Sequence, residues 1–291
     1  MIIATRRRAP VLAETLASLA ACRPRPEEVL VVDGDPDGSA RAIVEAVRGR
    51  APELNIFHEL SPPGLPTQRN HGIARVSGDV VVFADDDVEL EPELFAVLRE
   101  AYRDPTVVGA TPRIVEPEAR RIGNSRSWAR RLLPGGGDEG TMTRFGYPRR
   151  LQDVERPRDV EYMLGCLMSA RRELAAELGF DEGLEPPNGY ALAEDEDFSY
   201  RLSRRGRVRY VPDTVVRHRT TGSRSMDRRE FNRQVVVNRT YLFRKNFRST
   251  PLARAQFALL LVILAIHRAL NREWEGLRGL AEGALEAWRR R

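Results

Sequence analysis

The sequence predicts an α/β fold: a mostly parallel β-sheet flanked by helices, followed by a helical C-terminal extension. Three observations predict it. Short Val- and Ile-rich runs alternate with segments of helical periodicity through the first third of the chain, the pattern of parallel strands joined by crossover helices. Acidic turns stand at the carboxyl ends of two of these runs, where open α/β sheets bind ligands. From about Arg228 onward the pattern is helical. The expected organisation is one domain over residues 1–227 and a helical extension over 228–291.

Each element has its own warrant. Ile2 to Thr5 reads as a short buried strand. Val11 to Ala21 reads as a helix, with Leu12, Leu16 and Leu19 on one face. Glu28 to Asp33 is a second strand, closed by the turn-rich Gly34-Asp35-Pro36-Asp37-Gly38-Ser39. Ala40 to Arg48 is a helix, Leu54 to Glu59 a third strand, and Ser61-Pro62-Pro63-Gly64 a loop. Thr67 to Val76 is helical, and Asp79 to Ala84 is a fourth strand that delivers Asp85-Asp86-Asp87 at its carboxyl end. Pro92 to Ala101 is the next helix. From about Arg120 to Arg158, with Trp128 and Gly135-Gly136-Gly137, a long irregular loop is expected. Regular structure resumes at Tyr162 to Ala170, with a helix from Arg172 to Leu178 and another from Asp195 to Arg205. Val208 to Val211 and Val215 to His218 read as two strands.

The longest apolar stretch, Phe257 to Ile266, is well short of the roughly 20 residues that span a bilayer. Two readings fit it: packing on the main domain, or lying in a membrane interface with flanking arginines at the headgroups. The formal net charge is +5, and Lys245 is the only lysine. A basic balance suits anionic partners. The two cysteines, Cys22 and Cys166, form neither a metal spacing nor a disulfide framework. With no signal-peptide pattern at Met1 to Arg8, a cytoplasmic location, at the inner face of the cell membrane, is the expectation.

Two acidic constellations carry the chemistry. Asp85-Asp86-Asp87 places three successive carboxylates together, which repel one another unless a cation offsets them. Hard divalent cations such as Mg²⁺ and Mn²⁺ prefer such oxygen ligands. A solvated acidic turn is the plainer reading. Glu194-Asp195-Glu196-Asp197 opens a helix, where acidic residues also merely complement the dipole; alternatively Glu194 or Asp195 serves as a general base. His218 ends a strand and precedes a Gly/Ser/Arg-rich loop, a suitable place to close over phosphates. Asp33-Gly34-Asp35-Pro36-Asp37-Gly38 imitates a calcium loop, but a strand precedes it and the closing acidic position falls on Val44. The same segment imitates the strand-end motif of haloacid-dehalogenase-type phosphatases.

Taken in order, these motifs resemble family 2 glycosyltransferases, which have a GT-A fold. The resemblance runs from Ile2 to about Asn246. It rests on Thr5-Arg6, Val31-Val32-Asp33 with Asp37-Gly38-Ser39, Gln68-Arg69-Asn70, Gly78 to Asp87, Gly165-Cys166 with Arg171, Glu194 to Asp197, Val211-Pro212 and His218. It implies an inverting, metal-dependent transfer of a sugar from a nucleoside-diphosphate sugar to an acceptor hydroxyl. Thr5, Arg6 and Asp33 would then lie at the nucleotide, with Arg69 near base and diphosphate. Asp85 and Asp86 would lie by the ribose or sugar. Asp87 and His218 would bind Mg²⁺ or Mn²⁺, Asp195, beside Glu194, would be the catalytic base, and Arg224 would touch the diphosphate. The family's usual glycine before Glu194-Asp195 is Ala193 here, and its Asn-x-Ser after the strand aspartate is Gly34-Asp35-Pro36.

A UDP- or dTDP-sugar donor is expected, with a glycan, lipid-linked or small-molecule acceptor and peripheral membrane contact. The alternatives are a nucleotidyltransferase, the phosphatase, and a non-enzymatic binder of membrane or nucleic acid. The acidic constellation argues against a mere basic adaptor, so no nucleic-acid partner is expected.

Overall fold

The computed structural model describes residues 1–116, 138–149, 151, 154–185, 191–219 and 227–289. Arg224, Trp128 and the three glycines at 135–137 lie outside these residues.

Among the described residues the sheet has nine strands. Its first half follows the expected pattern: β3 (Ile56–Leu60), β2 (Val29–Asp33), β1 (Ile2–Thr5) and β4 (Val80–Asp85) are parallel neighbours in that order. The carboxyl ends of β1, β2 and β4 therefore share one edge, which brings Thr5, Asp33 and Asp85 to the same end of the sheet. The second half is mixed. β8 (Leu167–Arg171) runs antiparallel to both β4 and β6 (Val107–Val115). β9 (Arg207–His218) is parallel to β6, and its free edge is shared by β7 (Arg158–Val160) and β5 (Val88–Leu90), both antiparallel.

Side chains alternate across the parallel strands, as the period of two requires. Ile3, Val31, Val82 and Ala84 face one apolar layer, covered by α1 (Ala9–Ala21), α2 (Arg41–Arg50) and α4 (Leu94–Ala101) through Leu12, Leu16, Val44 and Leu98. Ile2, Leu30, Val32 and Phe83 face the other. That layer is covered by α3 (Leu65–Ile73), α5 (Arg172–Leu178) and α6 (Glu194–Ser203) through Ile73, Ala175, Phe198 and Leu202.

Three differences from the sequence reading have physical causes. β5, β6 and β7 were not expected. β5 and β7 are three residues each, too short to show alternation, and β6 carries Gly109 and Pro112. The two strands expected at 208–211 and 215–218 are one strand, because Pro212 and its neighbours are absorbed at a register shift opposite Pro112 and Arg113. The stretch counted as Phe257 to Ile266 belongs to a helix of 20 residues, α8 (Pro251–Leu270). Thr250 caps that helix by accepting from the Ala253 amide, with proline in the first turn.

The extension is completed by α7 (Arg228–Asn246) and α9 (Trp274–Arg289). Phe243 of α7 stacks on Phe257 of α8 at 5.0 Å. α7 also reaches the segments that flank the sheet: Asn238 donates to the carbonyls of Leu184 and Leu192, and Arg239 pairs with Glu196 of α6.

Candidate active site

The site forms where β4 ends. Asp85 closes that strand, Asp86 and Asp87 make the turn, and Val88 starts β5. Val88 stands opposite His218 in the antiparallel register, and the Arg219 amide donates to the Asp87 carbonyl at 2.9 Å. Strand pairing thus sets His218 against Asp87, with Nε2 at 3.1 Å from Oδ1 of Asp87 and 4.0 Å from Oδ2 of Asp85. One ligand atom from each of Asp85, Asp87 and His218 lies within 4.8 Å of the others.

These residues fit a cation. Asp87 Oδ1 is buried and has no hydrogen bond among the described residues, despite the nearby imidazole. A buried acceptor left without a donor is costly, and two ligand atoms facing one another at this distance are disposed as around a shared ion. Nδ1 of His218 lies 3.9 Å from Oε1 of Glu116, at the end of β6, the kind of outer carboxylate that orients a metal-binding imidazole. Burial opposes the charge on His218, yet Asp87, Glu116 and Asp85 together hold it protonated up to about 9. Burial likewise works against Asp87, whose contacts with His218 and Arg8 hold it below the ordinary carboxylate range.

The second constellation meets the first through Arg69. This buried guanidinium donates to Asp85 at 3.1 Å, to Glu194 at 3.3 Å and to the Gly165 carbonyl at 2.7 Å, and it lies over the Phe180 ring. Asp195 accepts from the Gly165 amide at 3.0 Å, the Glu196 amide at 2.8 Å and the Tyr162 hydroxyl at 3.4 Å. A side chain on Gly165 would begin 3.1 Å from the Asp195 Cβ, so glycine permits this approach. Burial, reinforced by the Asp195 charge, raises Glu194 to about 8, and Arg69 does not reverse this because it is shared with Asp85 and a carbonyl. Ala193, which precedes α6, adopts φ 70°, the left-handed conformation that glycine takes without strain.

Asp85, Arg69, Glu194, Asp195 and His218 line one cleft of about 210 Å³. Phe231, Val235, Asn238 and Arg239 of α7 form a further wall. The remaining expected residues are placed differently. Asp33 is fully buried, accepts from the Asp35 and Ala40 amides at 2.9 and 2.8 Å, and lies 3.3 Å from His58. Its carboxylate therefore holds the turn after β2. Thr5 is buried and donates to Asp86 at 2.6 Å, while Arg6 is exposed. Asp86, raised to about 6 chiefly by burial, pairs with Arg8 at 2.6 Å.

Arg8 was not singled out from the sequence, yet it bridges Asp86 and Asp87. Its signal is confined to its place in an arginine run after β1. Glu116 was missed with its strand. The α7 wall was hidden because helical periodicity does not say what a helix packs against. Arg171 serves the sheet, donating to the Val107 carbonyl.

A mixed sheet flanked by helices, with carboxylates gathered at the end of a central strand, places the protein among proteins with the GT-A glycosyltransferase fold. The chain belongs to glycosyl transferase family 2, whose family model matches residues 1–179. Among curated proteins it is similar to the succinoglycan biosynthesis protein ExoM of Rhizobium meliloti (strain 1021), with 36% identity over 100 residues, 33% of this chain and 32% of that protein. It is also similar to a pre-mycofactocin glycosyltransferase of Mycobacterium tuberculosis (strain ATCC 25618 / H37Rv), with 29% identity over 75% of this chain and 42% of that protein. The chain thus spans less than half the length of these relatives.

Among solved structures, a mannosyltransferase from Pyrobaculum calidifontis, in complex with GDP-Man and Mn²⁺, superposes with a TM-score of 0.61 at 18% identity, over 99% of this chain and 86% of that one. S. aureus TarS 1-349 in complex with UDP-GlcNAc gives 0.56 at 16% identity, over 98% and 90%.

Proposed function

We propose that this chain moves a glycosyl group from a nucleoside-diphosphate sugar, UDP- or dTDP-linked, to an acceptor hydroxyl with inversion at the anomeric carbon. The product belongs to a cell-surface glycan, glycolipid or other glycoconjugate. The observation that carries the reading is the shared cleft lined by Asp85, Arg69, Glu194, Asp195 and His218, in which Arg69 joins Asp85 to Glu194 and His218 stands against Asp87. The nucleotide-sugar and Mn²⁺ complexes of the solved relatives support it.

Asp87 and His218 would hold the divalent cation, with Asp85 beside them. An imidazole among the ligands suits Mn²⁺ better than Mg²⁺, which keeps to oxygen. A bound divalent cation stabilises negative charge on a departing diphosphate. Asp195 accepts the proton of the attacking hydroxyl. It is suited to this by its fixed position: two backbone amides hold it at the cleft wall. Glu194, protonated up to about 8, is the poorer base at neutral pH and acts with Arg69 to keep the wall in place.

Asp195→Asn should lower transfer by about 10²–10⁴-fold, while the thermal shift produced by a bound nucleotide sugar with Mn²⁺ persists. Undiminished turnover of that variant would remove Asp195 from the role. Release of pyrophosphate in place of a nucleoside diphosphate would point to nucleotidyl transfer.

A further inference from the structure

The outer face of α8 is apolar and uncovered. Leu252, Leu259, Val262, Ile266 and Leu270 are 53%, 43%, 52%, 44% and 69% exposed. Their spacing of seven, three, four and four residues keeps them on one side of the helix. Ala255 and Ala258, also exposed, are apolar, and residues 255–266 contain no charged side chain; Arg254, exposed as well, lies before that stretch. The opposite face is occupied: Ala253, Phe257 and Leu260 are buried against Phe243 and Phe145. A contiguous stripe of this kind on an otherwise polar protein marks a docking surface.

Charge decides the occupant. Residues 228–291 hold fourteen Arg or Lys against five Asp or Glu, a formal +9. The whole chain is +5, so residues 1–227 are −4. Between Arg244 and Arg272 there is no acidic residue, and the exposed arginines Arg248 and Arg254 stand toward one end of the stripe, Arg272 toward the other, while Lys245 and Arg268 are paired with Asp181 and Glu273. Trp274, 59% exposed, follows directly. A second copy docking on this face would set one basic extension against another. An anionic lipid surface instead satisfies both features, taking the apolar stripe among its acyl chains and the arginines among its headgroups.

We propose that α8 is a peripheral membrane-docking helix that lies in the plane of an anionic bilayer. Although α8 is long and apolar enough to cross a membrane by composition, crossing would strip Phe257 and Leu260 from Phe243 and Phe145. Lying flat keeps that packing. The surface owes nothing to the transfer reaction and is tested apart from it.

The full chain is mixed with vesicles of phosphatidylglycerol and phosphatidylcholine, and with vesicles of phosphatidylcholine alone, and sedimented at low and high salt. Binding to the anionic vesicles is expected, weakened by salt, with a blue shift of tryptophan fluorescence. The double variant Val262→Asp/Ile266→Asp should bind about tenfold or more weakly. Its circular dichroism and its response to nucleotide sugar should be unchanged, since both positions are exposed. Failure of the parent chain to bind anionic vesicles overturns the proposal. So does a parent chain that self-associates in solution and becomes monomeric in the double variant, which would assign the stripe to a second copy.

Discussion

At the scale of the residue, the site depends on where protons sit. In the metal-free protein His218 stands 3.1 Å from Asp87, faces Asp85 and Glu116 as well, and keeps its proton up to about 9. A cation must displace that proton, because only neutral imidazole is a ligand. Mn²⁺ binding should therefore release a proton at neutral pH, and its apparent affinity should rise up to about tenfold per pH unit until pH 9 is reached. Calorimetry in two buffers of different ionisation enthalpy measures the release; affinity that is flat over this range would exclude His218 from the site. The Glu194 and Asp195 carboxyls make a second contrast. Glu194→Gln replaces a protonated acid by a neutral amide of similar shape and should cost far less transfer than Asp195→Asn. Equal losses in the two variants would show that both charges are required.

At the scale of the element, α9 packs on α7 through glycines. Added Cβ atoms at Gly279 and Gly283 would lie 2.0 Å from the Arg229 carbonyl oxygen and 2.4 Å from that of Arg233. Backbone occupies the space that a side chain would need, so the helices must separate to accept one. Gly279→Ala should destabilise the protein by about 1–3 kcal/mol, the usual range for overpacking, and lower its melting temperature; an unchanged melting curve would contradict this contact.

The elements were unevenly legible. β1, β2 and β4 could be read because each is a continuous apolar run bounded by turn residues. β5 and β7 could not, since three residues carry no period. The site followed the same division. Asp85, Asp87, Asp195 and His218 stand at element ends that their surrounding motifs mark. Arg8, Glu116 and the α7 wall enter the cleft region only through tertiary packing. Asp33, a residue of the matching motif, also accepts the amides of its own turn at the carboxyl end of β2.

At the scale of the whole molecule, buried titrating groups make stability depend on pH. Between the ordinary histidine value of 6.5 and about 9, the folded protein holds the His218 proton more tightly than the unfolded chain does. That stabilisation is complete below 6.5 and is lost as pH rises through 9. Glu194, raised from 4.5 to about 8, acts in the same direction over its lower window. The buried amino group of Met1, lowered from 8.0 to about 6 by burial, acts oppositely between those values. The melting temperature of the metal-free protein should therefore fall from about pH 6.5 to 9, the Met1 amino group offsetting one of the two opposing groups below pH 8, and saturating Mn²⁺ should reduce the slope. A melting temperature that climbs across that interval would contradict these assignments.

The register that sets His218 beside Val88 also has a temporal meaning. Synthesis delivers Asp87 early, whereas the imidazole it faces arrives only with the far end of β9, after most of the sheet-forming sequence has emerged. Closing so long a loop is entropically slow, so a nascent chain stopped before β9 would contain every carboxylate of the cluster and still lack the imidazole proposed as its nitrogen ligand. Acquisition of tight Mn²⁺ binding would then clock the moment at which the last strand locks into the growing domain.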